Sequence, residues 1–245
     1  MDTLWLQIVQ WLHTVGLHVD GNTAREVAAG AARVTDKLDM PSLLALAAAL
    51  GWASGFRLYA VVFIVGVMGA GDWLALPAGL QVLASPLVLA VSGSLMLVEF
   101  FADKVPWIDS AWDALHTVIR VPGGALLAAG VFGADSATMG VIAGLLGGSL
   151  AATSMATKMT ARAAVNTSPE PFSNGLVSLF EDGLVVAVVW LATQHPVAFG
   201  VALVVMVVLS VALLVVLFKF LRAVLRRVSS FFGGSVQPVV EKSDV

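Results

Sequence analysis

Between residues 197 and 218 the chain runs almost without interruption through Val, Leu, Ala and Met. A helix surrounded by water keeps one polar face, with its apolar residues gathered in a stripe. This segment has no polar face, and it is long enough to cross the roughly 30 Å hydrocarbon core of a bilayer. The rest of the chain agrees: 59% of its 245 residues are hydrophobic and 12% charged, against about 25% charged in ordinary soluble domains. A soluble fold of this length has no interior large enough for so many apolar side chains. The sequence therefore predicts an all-α, polytopic membrane helix bundle.

Five further apolar segments precede that one, over residues 42–69, 83–102, 118–134, 137–157 and 174–193. Six transmembrane helices are thus expected within a domain over 41–228. The first segment exceeds the length of one crossing, so it is tilted or broken, and the two glycines flanking Trp52 offer a place to unwind. The third is short, contains Pro122-Gly123-Gly124, and reads as marginal or re-entrant. Pro41-Ser42 marks a helix start. Ahead of it, 1–40 reads as an amphipathic interfacial helix (Leu4, Trp5, Ile8, Trp11, Leu12 and Val15 recur at helical spacing) followed by a cytoplasmic connector. The polar stretch 229–245 reads as a disordered cytoplasmic tail. Three spans followed by three spans would also allow an inverted 3+3 repeat.

Basic residues set the orientation. With the N-terminus inside, twelve of the thirteen Lys and Arg fall in inner segments, including Lys104, Arg120, Lys158, Arg162, Lys219, Arg222 and Arg226. The outer connections hold none. Deleting the third span would move every later basic cluster outside, so six spans are preferred over five, with both termini cytoplasmic. Trp73, Trp107, Trp112 and Trp190 lie near the expected interfaces.

The thirteenth basic residue, Arg57, falls inside an apolar run. An arginine near the membrane centre costs at least about 2.5 kcal/mol, so it needs a partner or an aqueous cavity. Either it receives an anionic substrate group or it forms a structural ion pair. Acidic counterparts exist. Glu99 and Asp103 are four residues apart on one helical face, with Lys104 next to them. Glu181 and Asp182 lie two turns into the fifth span and point about 100° apart. A buried carboxylate can bind a proton reversibly, so proton or cation coupling is the functional role for Glu99 and Glu181; the alternative is a buried structural pair with Arg57 or Lys158. Lys158, Arg162 and Asn166, with the helix start at Ser173 or Asn174, could together hold an anionic headgroup. Asp109 and Asp113 share a face and read as part of a solvated amphipathic helix.

The chain has no cysteine, which removes disulfides, thiolate metal sites and cysteine nucleophiles. Walker loops, His-Glu-x-x-His and Gly-x-Ser-x-Gly are missing from the sequence, and the four histidines are scattered. Neither an enzyme nor a cofactor is expected. The net charge of −3 carries no nucleic-acid signature.

The run Glu99-Phe100-Phe101-Ala102-Asp103-Lys104-Val105-Pro106, with Asp109 and Trp112-Asp113, is one polar motif. Val165-Asn166-Thr167-Ser168-Pro169-Glu170-Pro171-Phe172-Ser173-Asn174 with Glu181-Asp182 is the other. Together they resemble the bacterial membrane proteins grouped as domain-of-unknown-function family 4126, over about residues 42–195. The resemblance implies a multi-pass membrane protein and carries no activity with it.

The expected protein is a small secondary transporter or translocase of the bacterial inner membrane. Its site lies between the first, second, fourth and fifth spans: Arg57 receives an anionic or lipid-headgroup substrate, Glu99 and Glu181 handle a proton or cation, and Asp103, Asp182, Lys158, Arg162 and Asn166 are further substrate-binding candidates. A non-transporting scaffold held by structural ion pairs is the alternative from another class, and an oligomeric channel is a third. The Gly140-x-x-x-Gly144 and Gly147-Gly148 pattern permits close helix contact within or between copies.

Overall fold

The structure is a computed structural model and describes residues 39–105, 108–133, 136–165 and 171–232. The expected amphipathic helix over 3–19, Asn166 and residues 233–245 lie outside the described residues. Within them all regular secondary structure is helical: α1 (Met40–Ala70), a 3-10 helix (Ala78–Ala84), α2 (Pro86–Ala102), α3 (Ile108–Phe132), α4 (Ala137–Val165), α5 (Pro171–Gln194) and α6 (Pro196–Phe232). Five helices are long and apolar enough to cross a membrane, and six spans result if the 3-10 helix and α2 count as one span bent by 69°. The apolar side chains of α6 face outward (Val201, Val204, Val208 and Leu209 are all exposed), as lipid contact requires and water would penalise. The protein is an integral membrane protein.

α1 begins where the sequence predicts. Pro41 occupies its first turn, and Asp39 caps it by accepting a 3.2 Å hydrogen bond from the Ser42 backbone N–H. That bond holds the Asp39 carboxyl below its usual pKa. The helix is broken, as its length suggests, and the break falls at Arg57 (φ −147°, ψ 84°). The glycines flanking Trp52 do not unwind. They serve packing instead: a Cβ on Gly51 would lie 2.5 Å from the Gly147 Cα, and one on Gly55 would collide with Ser154 and Ala151.

The break reverses the chain. In the first arm, Gly51 packs on Gly147, the Trp52 carbonyl accepts from Ser154 Oγ at 2.6 Å, and the Phe56 carbonyl accepts from Lys158 Nζ at 3.2 Å. Residue numbers rise together, so this arm runs parallel to α4. In the second arm, Tyr59 and Val62 share a wall with residues 87–95, Phe63 packs on Gly93, and Gly66 packs on Leu83 and Leu89. Here the numbers run in opposite senses, so the second arm is antiparallel to α2. α2 itself runs the same way as α4. The 3-10 helix before it places Gly79 against Gly130 at the far end of α3, and its own end brings Asp103 to Lys158 and Arg162. α1 is therefore a V with Arg57 at its apex. Its arms are about 25 Å and 20 Å long at 1.5 Å per residue, and both open toward the α3–α4 and α5–α6 turns.

Two expectations change in consequence. The described chain enters the bundle at Met40 and leaves at Phe232 at opposite ends, because the doubled α1 adds one reversal that six simple crossings do not contain; the two termini themselves lie outside the described residues. The third segment is not the weak one. α3 is a continuous helix of 25 residues that starts ten residues before the apolar stretch and runs through Pro122. The irregularity belongs to the second segment, where Ser85 separates the 3-10 helix from a 17-residue α2 and caps it through Val88 N–H at 3.5 Å.

The first arm of α1 is the core of the bundle. Ala49, Leu50, Trp52 and Ala53 are buried in it, and Ala128, Val131, Val185, Val188 and Phe199 close around both arms. Small residues let the backbones approach: Gly124 and Gly147 face Gly51 and Ala128.

Candidate functional site

The apex of the V lies in a buried network of charged side chains drawn from α1, α2 and its end, α3, α4 and α5. Among the described residues, four cations and five carboxylates are joined in it. All but one of the nine are almost completely buried; Asp182 is 29% exposed. Arg57 Nη2 lies 2.9 Å from Asp103 Oδ2, and Arg57 Nε lies 2.6 Å from Asp182 Oδ1, a charge contact off the angle of a hydrogen bond. Arg57 also donates to Ser178 Oγ at 2.8 Å. Arg120 joins Glu99 at 2.5 Å and Asp113 at 2.6 Å. Lys158 Nζ sits 3.1 Å from Asp113, 3.3 Å from Asp103 and 3.5 Å from Glu181. Arg162 reaches Glu181 at 3.0 Å and the Asp103 backbone carbonyl at 2.9 Å.

Each element contributes through a simple local rule. Ser178, Glu181 and Asp182 stand at i, i+3 and i+4 on α5, one helical face. Glu181 turns to α4 and Asp182 to α1, the divergence expected of adjacent residues. Lys158 and Arg162 are likewise i and i+4 on α4. Asp103 follows the last turn of α2 and presents both its carboxylate and its carbonyl to the cations. The helix break sets the Phe56 carbonyl in reach of Lys158. Exposed backbone polar groups inside a bilayer need such partners.

Of the residues singled out from the sequence, Arg57, Glu99, Asp103, Lys158, Arg162, Glu181 and Asp182 converge here. Several differ from their expected roles. Lys158 and Arg162 are buried and face protein carboxylates, so they do not present an open headgroup site. Lys104 pairs with neither Glu99 nor Asp103; its ammonium donates to the Phe100 carbonyl at 3.1 Å and lies 3.0 Å above the Phe100 ring. Burial holds that ammonium below the ordinary lysine pKa. Asp113 is 2% exposed and bonded to Arg120, not on a solvated face; the side chain of Asp109 lies outside the described residues.

Arg120, Asp113 and Ser178 are members that the sequence reading missed. A signal for the first two existed. They are seven residues, two full turns, apart, so they share a face at the start of a span.

The carboxylates are not equally supplied with cations. Asp103 has three, Asp113 and Glu181 two each, and Glu99 and Asp182 one each. Glu99 is fully buried and its Oε2 has no hydrogen-bond partner among the described residues. Cations separate the acids, and among the described residues no group of three His, Asp or Glu could hold a metal ion. On one flank, Tyr59 meets the edge of His116, which stacks on Trp112 at 4.1 Å and donates from Nδ1 to the Trp112 carbonyl at 2.8 Å.

A family model described as "Domain of unknown function (DUF4126)" matches residues 44–216, the whole span from the first arm of α1 into α6. The chain belongs to that family. No curated protein and no solved structure matches it.

Proposed function

We propose that this member of the DUF4126 family is a small transporter whose charge network binds the coupling proton. Charge balance at the apex carries the proposal. Among the described residues five carboxylates are ion-paired with four cations, Lys104 acting on the partly exposed Asp182 without pairing with it, and a net charge left in a low-dielectric interior is costly. One proton on one carboxyl neutralises the network. Glu99 is the residue best placed to hold it, being fully buried with a single cation that it shares with Asp113. Intramembrane acids and broken helices are the usual parts of coupled transport sites.

Ionising Glu99 tightens α2 against α3 through Arg120. Protonating it leaves Arg120 to Asp113 and loosens that contact. An anionic or lipid-headgroup substrate would reach Arg57 by displacing Asp182, the more exposed of its two carboxylate partners. The network end of the bundle, with Lys104, Lys219, Arg222 and Arg226, would face the cytoplasm of a bacterial inner membrane. On that orientation the Met40 end of α1 faces outward.

The protein in lipid vesicles provides the test. Infrared difference spectra should show the C=O stretch of a protonated carboxyl near neutral pH, and Glu99→Gln should remove it. Vesicles loaded with a pH-sensitive dye should show protein-dependent proton entry under an imposed potential, lost in the same variant. If the wild type lacks the band and the variant conducts normally, the proposal fails. One observation favours a scaffold instead: every cation faces at least two carboxylates, as purely structural pairing would arrange. That role predicts a strongly destabilised Glu99→Gln protein and no proton flux in the wild type.

A further inference from the structure

A groove runs along the first arm of α1, α4 and α6, away from the ion pairs of Arg57 and Arg120. Two separate cavities lie along it. The upper, about 670 Å³, lies among Leu44, Ala48, Ile142, Phe199 and Leu203. The lower, about 280 Å³, lies among Trp52, Phe56, Phe180, Met206 and Ser210, with Lys158 and Glu181 at its inner end. The chambers are in register. Ala48 and Trp52, and Thr153 and Thr157, are one turn apart on α1 and α4, and Val207 and Ser210 continue from one chamber to the next on α6.

Three observations define an occupant. The outer lining residues Leu44, Ile142, Phe180 and Leu209 are exposed and apolar, so in a bilayer the groove opens sideways to lipid. From Phe199 to Ser210 its length is about 16 Å, which suits an alkyl chain. Trp52 is 2% exposed, yet its indole Nε1–H has no hydrogen-bond partner among the described residues. A buried donor left without an acceptor costs about 1–3 kcal/mol. The acceptor should be uncharged, because the lower chamber borders a network in which acids outnumber bases. We propose that this groove binds a long-chain amphiphile from the membrane, its alkyl chain in the upper chamber and a neutral oxygen accepting from Trp52 Nε1. The site does not depend on Glu99 binding a proton, and its failure would leave that proposal standing.

Two sources supply this chemistry: a protonated fatty acid and the ester of a glycerolipid. Bromine on an alkyl chain quenches a nearby indole, so Trp52 is its own reporter. The fluorescence lost on Trp52→Phe isolates its share from the other tryptophans. Dibrominated fatty acid and dibrominated phosphatidylcholine would each be titrated into the full-length protein in nanodiscs. Quenching of Trp52 that saturates at low mole fraction with either probe supports the site, and the more effective probe identifies the source. Gly200→Phe supplies the control. Gly200 lines the upper chamber, and a Cβ there meets nothing within 4 Å, so the ring fills the groove without disturbing a helix contact. That variant should fold and lose the saturable component. Quenching that only tracks bulk lipid and persists in Gly200→Phe overturns the proposal.

Discussion

Arg120 shows what holds the network together. It is buried between Glu99 and Asp113, and removing one partner of a buried pair leaves a bare charge, at a cost of about 3–5 kcal/mol. Arg120→Met should therefore lower the thermal midpoint of the detergent-solubilised protein strongly. Arg120→Met combined with Glu99→Leu should recover most of that loss, since Asp113 keeps Lys158. Glu99→Gln belongs to a different class. It leaves four acids against four cations and an oxygen still able to accept from Arg120, so stability should be unchanged or higher. If unfolding measurements place Glu99→Gln beside Arg120→Met, the fifth carboxylate is structural and the proton role falls.

The helices meet through glycine rather than through interlocking large side chains. Gly51 is the tightest case, because its would-be Cβ meets the backbone of Gly147 and neither side has an atom to give up. Gly51→Val should separate α1 from α4 and cost more than the roughly 1–3 kcal/mol of ordinary overpacking. Gly183→Ala on α5 is the contrast. Nothing lies within 4 Å of a Cβ there, so the expected change is small and stabilising, by up to about 1 kcal/mol from helix propensity. Thermal unfolding of both variants in one detergent decides it. The helix starts were largely legible: apolar stretches predicted the starts of α1, α4, α5 and α6 and the end of α5 within about three residues, whereas α4 and α6 run on well past their apolar stretches, to Val165 and Phe232. The second and third segments were less legible. Hydropathy discounts a helix that begins with Asp113 and Arg120, although each neutralises the other. It also cannot register the bend at Ser85, because residues on both sides are apolar.

The whole molecule is arranged around the reversal in α1. Asp39 and Asp72 bound its two arms and lie at one end of the bundle; Lys104 and Arg222 lie at the other. Cysteine is absent from the chain, so single cysteines report sidedness without background. Asp39→Cys and Asp72→Cys should react with a membrane-impermeant maleimide from the same side of sealed vesicles. Lys104→Cys and Arg222→Cys should react only from the opposite side. Labelling of Asp39→Cys and Asp72→Cys from opposite sides would mean that α1 crosses the membrane once.

Membrane residence, the all-helical class and the need of Arg57 for acidic partners follow from sequence alone. Long apolar runs have few other stable environments, and a charge within one must be compensated. Where Arg57 sits was a tertiary decision. No glycine or proline marks the break, and the carbonyl it frees is satisfied by Lys158, about a hundred residues away. Hydropathy is a sum along one dimension. It finds an apolar run but cannot tell a straight crossing from two arms meeting at a buried arginine, because both bury the same side chains.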